Sequence, residues 1–116
     1  SEASQKLYMV SQSRRYDGRL TALRRAVAEI GTLGILNADF YIGAHFGGFR
    51  DEMNHVLLLD MAIHSFDQAR AITGRRPVSV YADEFNPSWS WYRHGASANC
   101  LFEMEDGLRF SYRGSW

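Results

Sequence analysis

One cysteine, two prolines and no surplus of either charge: this chain is defined first by what it withholds. With Cys100 as the lone thiol, no intrachain disulfide can form, so nothing demands an oxidising compartment. Its position between Asn99 and Leu101, in a strand-like run, suits a buried and inert thiol. Thirteen basic residues balance thirteen acidic ones, which removes the electrostatic footprint of a nucleic-acid binder or of a protein held on an anionic membrane. No apolar run is long enough to span a bilayer, and the start lacks a signal-peptide pattern. A cytoplasmic location is the expectation. Lysine is nearly absent: Lys6 is the only one, against twelve arginines. Codon bias accounts for that ratio as readily as function does.

What remains is a chain of 116 residues, 46% hydrophobic and 14% aromatic, which fits one folded domain and argues against disorder. Leu7-Tyr8-Met9-Val10-Ser11-Gln12 reads as a strand. Asp17 opens a helix with Leu20, Leu23, Ala26, Val27 and Ile30 at helical spacing, and its carboxylate can cap the first turn. Gly31 and Gly34 mark the stop and a reversal. Residues 35–46 are strand-like. A second helix is expected from Asp51 to Thr73, ended by Gly74 and kept from resuming by Pro77. Val78 to Ala82 alternates like a half-buried strand. Asn86 to Tyr92 is an aromatic-rich loop. Ala98 to Met104 and Leu108 to Tyr112 read as two strands joined by a turn at Asp106-Gly107. The order β-α-β-α-β-β-β implies an α+β fold, a mostly antiparallel sheet with both helices on one face. Residues 1–116 are expected to form a single domain, and both ends read as cut from a longer protein.

The chemistry concentrates in Val56-Leu57-Leu58-Leu59-Asp60-Met61-Ala62-Ile63-His64-Ser65-Phe66-Asp67. At about 100° per residue, Asp60, His64 and Asp67 fall within about 60° of one another, while apolar side chains cover most of the remaining circumference. A narrow ionisable stripe on an oily helix is costly unless it pairs internally or meets a ligand. As an acid/base pair, Asp60 raises the pKa of His64 and fixes its tautomer, and His64 exchanges a proton with a hydroxyl near neutral pH. As a structural feature, the same residues form an ion pair or a core hydrogen bond. Helical spacing alone does not separate the two.

Other clusters weigh less. His55, Asp60 and His64 offer zinc ligand types, but His55 and His64 stand about half a circle apart on one helix, so no metal site is expected. Arg14-Arg15-Tyr16 either holds an anionic or hydroxylated substrate or is a solvated pair. Trp89, Trp91 and Tyr92 form either a sugar-stacking wall or a loop packed on the sheet or on a partner subunit. The glycines of Gly43-Ala44-His45-Phe46-Gly47-Gly48 lack dinucleotide-binding spacing.

From Gln12 to Trp116 the chain resembles the C-terminal domain of the Gfo/Idh/MocA oxidoreductases, a family that includes glucose–fructose oxidoreductase and inositol dehydrogenase. Gln12-Ser13-Arg14-Arg15-Tyr16 resembles the segment by which such chains leave the dinucleotide domain. Gly31-Thr32-Leu33-Gly34 resembles the G-x-[IL]-G turn. His55 to Asp67 resembles the L-x-D-x-x-x-H-x-x-D helix. Gly74 to Val80 resembles G-x-x-P-x-x-V.

The resemblance implies the substrate-binding and oligomerisation domain of an oxidoreductase that uses NAD or NADP on a hydroxyl or carbonyl of a sugar, polyol or related small molecule. His64 would transfer the proton, and Asp60 would orient it or bind substrate. Arg15, Tyr16 and Asp67 would lie along the substrate cleft. A homodimer or higher oligomer through the outer sheet face is implied as well. The departures are equally definite. The Rossmann half and its Glu-Lys-Pro lysine are missing, and Glu52-Met53-Asn54-His55 replaces the usual glycine-rich entry to the catalytic helix. The fragment alone is therefore expected to be inactive and to bind neither cofactor tightly. The alternative is a non-catalytic binding or assembly module with the same fold.

Overall fold

A computed structural model describes residues 4–116. The first long element is helix α1, Gly18–Ile30, and its start is set by Asp17, whose side chain accepts a hydrogen bond from the Arg19 amide at 2.8 Å. Gly31 ends it at φ 102°, a conformation that favours glycine. The strands are β1, Ile35–Tyr41, β2, Pro77–Phe85, β3, Ser97–Met104, and β4, Arg109–Ser115. They lie in the order β1-β4-β3-β2. The last three form an antiparallel meander, while β1 joins β4 in parallel, with Ile35 opposite Arg109. The architecture is α+β, as the element pattern implies, with a mixed sheet.

Helix α2, Ile63–Thr73, lies across this sheet. The Phe66 ring meets Phe102 at 4.9 Å and Tyr112 at 5.2 Å, each edge to face. The inward side chains of β3 and β4, Ala98, Cys100, Met104, Phe110 and Tyr112, are buried. That burial is the main driving force for docking the helix. Trp116 closes one end of the core: its indole Nε1 donates to the Ala44 carbonyl at 2.8 Å. Helix α1 packs against α2 and buries no residue completely.

Four sequence expectations require correction. Leu7 to Gln12 is not a strand: it joins no sheet among the described residues, and Leu7, Tyr8, Met9 and Val10 are exposed. Alternating apolar residues form a strand only where an edge accepts their hydrogen bonds, and this segment lies along none. The strand expected over residues 35–46 ends at Tyr41.

The second helix also begins later than its apolar pattern suggests. Gly48–Glu52 is a 3₁₀ turn, residues 53–55 are not helical, and the continuous helix opens at Val56. Its start is held from outside, where the Leu57 amide donates to the Gly95 carbonyl at 3.3 Å. Its first turns, Leu57–Ala62, are π-helical before α2 takes over. The apolar jacket is incomplete too, because Leu59 and Ile63 are exposed. Gly74, in the left-handed conformation at φ 70°, ends α2 as expected.

Candidate functional site

The π-helical turn carries Asp60, and α2 carries His64 and Asp67. A π turn widens a helix locally and is often found at functional positions. Each of the three side chains has a specific partner from elsewhere in the chain. His64 Nδ1 lies 3.0 Å from Gln12 Oε1. Asp60 Oδ2 accepts from Arg50 Nε at 2.6 Å. Asp67 takes a two-pronged contact from Arg15, with Nε at 2.9 Å and the terminal nitrogen at 2.6 Å. Two segments thus reach the helix: the one before α1, with Gln12, Arg14 and Arg15, and the 3₁₀ turn with Arg50.

An amide carbonyl can only accept, so the Gln12 contact requires that His64 Nδ1 carry the hydrogen. In the neutral ring that leaves the lone pair on Nε2. Asp60 is not the hydrogen-bond partner that sequence spacing suggests; Arg50 holds it. Arg50 is itself steadied by rings, its guanidinium lying 4.6 Å from the centre of Phe49 and 5.9 Å from that of Trp116.

The electrostatics reverse one expectation. Half-burial lowers the pKa of His64, and the positive charge of Arg14 lowers it further. Asp60 and Asp67 oppose them without prevailing, so the net direction is down rather than up. A proton on His64 loses more hydration than these two carboxylates return, since each already faces an arginine.

Arg15, Tyr16 and Asp67 line a groove of about 340 Å³ together with Gln12 and Arg70. Neither His64 nor Asp60 is among its lining residues, and Gln12 connects it to His64. Tyr16 is exposed. The aromatic loop divides: Tyr92 is buried, whereas Trp89 and Trp91 face solvent. His45 stacks on Trp91 at 5.7 Å and contacts Asp51 Oδ1 at 2.7 Å. His55 contacts Glu84 Oε2 at 2.5 Å. His45 and His55 therefore each have their own carboxylate, and among the described residues no three metal-ligating side chains converge.

Gln12 and Arg50 are the site residues that spacing does not reveal. Both lie outside the helix, and neither belongs to a periodic pattern. The only trace of Gln12 is its place at the head of the Arg-Arg-Tyr segment.

Set beside known proteins, residues 20–116 match the model of the GFO/IDH/MocA C-terminal domain. An uncharacterised protein, y4oX, of Sinorhizobium fredii is 30% identical over 112 residues, covering 91% of this chain and 31% of its own length. A Thermotoga maritima protein described as a probable dehydrogenase superposes with a TM-score of 0.81 at 22% identity, over 98% of this chain and 36% of that one. The myo-inositol dehydrogenase of Lactobacillus casei, solved with NAD(H) and myo-inositol, gives a TM-score of 0.78 at 16% identity, over 97% of this chain and 33% of that one. At such identities the structural likeness concerns the fold. The chain spans about a third of the length of these relatives.

Proposed function

This chain belongs to the GFO/IDH/MocA C-terminal domain family, and from that premise we propose that it is the substrate-binding part of an oxidoreductase acting on a hydroxyl or carbonyl of a polyol or sugar. The observation that carries the reading is the Gln12–His64 contact, which presents Nε2 of a neutral imidazole as a base. The lowered pKa keeps that base unprotonated at neutral pH. Nε2 accepts the proton of a substrate hydroxyl during oxidation and returns it during reduction. Asp60 stabilises the imidazolium that forms, through its field rather than through a hydrogen bond. The myo-inositol held by the Lactobacillus casei enzyme supports a polyol as the substrate class.

The cofactor is NAD or NADP, held by other parts of the parent protein. The residues described here do not suit a dinucleotide. Clustered glycines follow β1 but lead into a short 3₁₀ turn, Gly48–Glu52, instead of a helix that could receive a pyrophosphate. The step assigned to this chain is therefore the proton transfer alone.

A homodimer or larger assembly forms through the outer sheet face, where Ile35, Tyr41, Tyr81, Phe85 and Leu101 are exposed. The protein works in the cytoplasm.

The test joins the chain to a dinucleotide-binding half and screens polyols and sugars for cofactor reduction. His64→Ala should lower turnover by about two to four orders of magnitude. Near-normal turnover in that variant would remove His64 from the reaction. A second reading, a non-catalytic binding or assembly module, draws on the two arginine–carboxylate pairs that already satisfy Asp60 and Asp67. Absence of any turnover across the screen, with the fold intact, would favour it.

A further inference from the structure

The chain is electrically neutral as a whole, yet its arginines are unevenly placed. A groove of about 440 Å³ is lined by five of them, Arg15, Arg24, Arg70, Arg75 and Arg76, with Tyr16 and Thr21 and no acidic residue. A second hollow of about 600 Å³ shares Thr21, Arg24, Gly74 and Arg75 with it and adds Arg25, again without an acidic residue. The two form one channel between α1 and the C-terminal end of α2.

Three of these charges are balanced from beyond the walls. Arg15 faces Asp67, Arg75 faces Asp106, and Arg76 faces Glu105. Arg24, Arg25 and Arg70 have no carboxylate partner among the described residues. Arg70 sits in the last turn of α2, where a cation complements the helix dipole. Arg24 and Arg25 lie mid-helix and have no such role. Like charges around a concave surface repel unless a counter-ion spends time among them, and concavity strengthens their combined field.

We propose that this channel binds a small, multiply charged phosphate compound, with Arg24 and Arg70 as its principal contacts from facing helices. Planar guanidinium groups match phosphate oxygens with paired N–H donors. Three guanidinium groups without a carboxylate partner suit an anion of at least two charges better than a single carboxylate. The combined hollow is of the size that takes small ligands. Composition conceals the site, because the acidic residues that cancel its charge lie elsewhere.

The experiment titrates inorganic pyrophosphate into the chain, following backbone amide resonances and heat, at low and at physiological ionic strength. Saturable binding at one equivalent is expected, with shifts confined to residues around Thr21–Arg25 and Arg70–Arg76. Arg24→Gln and Arg70→Gln should each weaken it about tenfold. Both side chains are exposed, so these variants keep the fold. Arg93→Gln removes an equal charge outside the channel and should leave affinity unchanged. The proposal is overturned if pyrophosphate fails to saturate, or if Arg93→Gln weakens binding as much as Arg24→Gln. It is likewise overturned if a short single-stranded oligonucleotide binds where pyrophosphate does not, since the ligand would then be a nucleic-acid backbone. None of these outcomes depends on the role of His64.

Discussion

Gln12 and His64, 52 residues apart, meet through a single contact of 3.0 Å between the amide oxygen and Nδ1. This contact ties the irregular segment before α1 to the helix that bears His64. It also determines which ring nitrogen is free, because Oε1 accepts and does not donate. Nitrogen-15 resonances of His64 should therefore report the Nδ1-protonated tautomer above its pKa. In Gln12→Ala the population should move toward the Nε2-protonated form. An unchanged tautomer ratio in that variant would show that Gln12 does not orient the ring.

The neighbouring Arg14 should be felt in the titration of His64. Burial is the main cause of its lowered pKa, and the Arg14 charge is the next. Arg14→Gln should raise the pKa toward the ordinary histidine value, while Asp60→Asn should lower it further. The linkage has a definite sign. A histidine whose folded pKa is depressed binds its proton more readily when unfolded. Its contribution is fully present above the unfolded pKa of about 6.5 and is lost as pH falls toward the folded value. Denaturant midpoints should fall across that window, and less steeply in Arg14→Gln. A His64 that titrates above 6.5 in the native chain would contradict the assignment.

The contrast between helix and strand calls on the same physics with different success. α1 was legible because its start and stop are local: Asp17 bonds to an amide two residues on, and Gly31 needs only its own φ. The β2-β3-β4 meander was legible because alternation and the Asp106-Gly107 turn are local as well. The late start of the second helix was not, since it depends on the Gly95 carbonyl, 38 residues beyond Leu57. Leu7 to Val10 has the composition of a strand but no edge to join. At the site, spacing placed Asp60, His64 and Asp67 on one helix, yet it could not supply Gln12, Arg50 or Arg15 as their partners. Nor could spacing supply the burial and the Arg14 charge that turn the His64 shift downward.

The outer sheet face offers a direct test of assembly. Tyr81 lies opposite Leu101 across the β2–β3 pairing, and Leu101 lies opposite Ser111 on β4. Tyr81 and Leu101 are both exposed near the middle of the face. Charged residues fringe them, with Arg113 on Asp39 and Arg109 near Glu103. Leu101→Arg places a charge at the centre of the apolar area without touching the core. Light scattering should show the native chain as a dimer or larger and this variant as a monomer. A native chain that is monomeric at moderate concentration would remove the sheet face as the assembly surface.

Tyr112 supplies a prediction about stability. Its side chain is fully buried in β4, and its hydroxyl oxygen has no hydrogen-bond partner among the described residues. Burial pushes its pKa up, so the group remains a neutral phenol at any ordinary pH. A buried hydroxyl that has lost water and gained nothing carries a desolvation penalty. Tyr112→Phe removes the oxygen and leaves the ring in place against Phe66. The variant should be more stable by about 1 kcal/mol, raising Tm by about 4 °C for a domain of this size. The glycine two residues on explains why the oxygen is tolerated. A Cβ on Gly114 would stand 2.3 Å from the Tyr112 hydroxyl and 2.7 Å from the ring carbon that bears it. Gly114→Ala should therefore be destabilising, and Tyr112→Phe should rescue it only in part, because the ring carbon still collides. Thermal melts of the two single variants and the double variant decide the matter. A Tyr112→Phe chain that melts below the native one would mean that the hydroxyl makes a bond worth more than its burial costs.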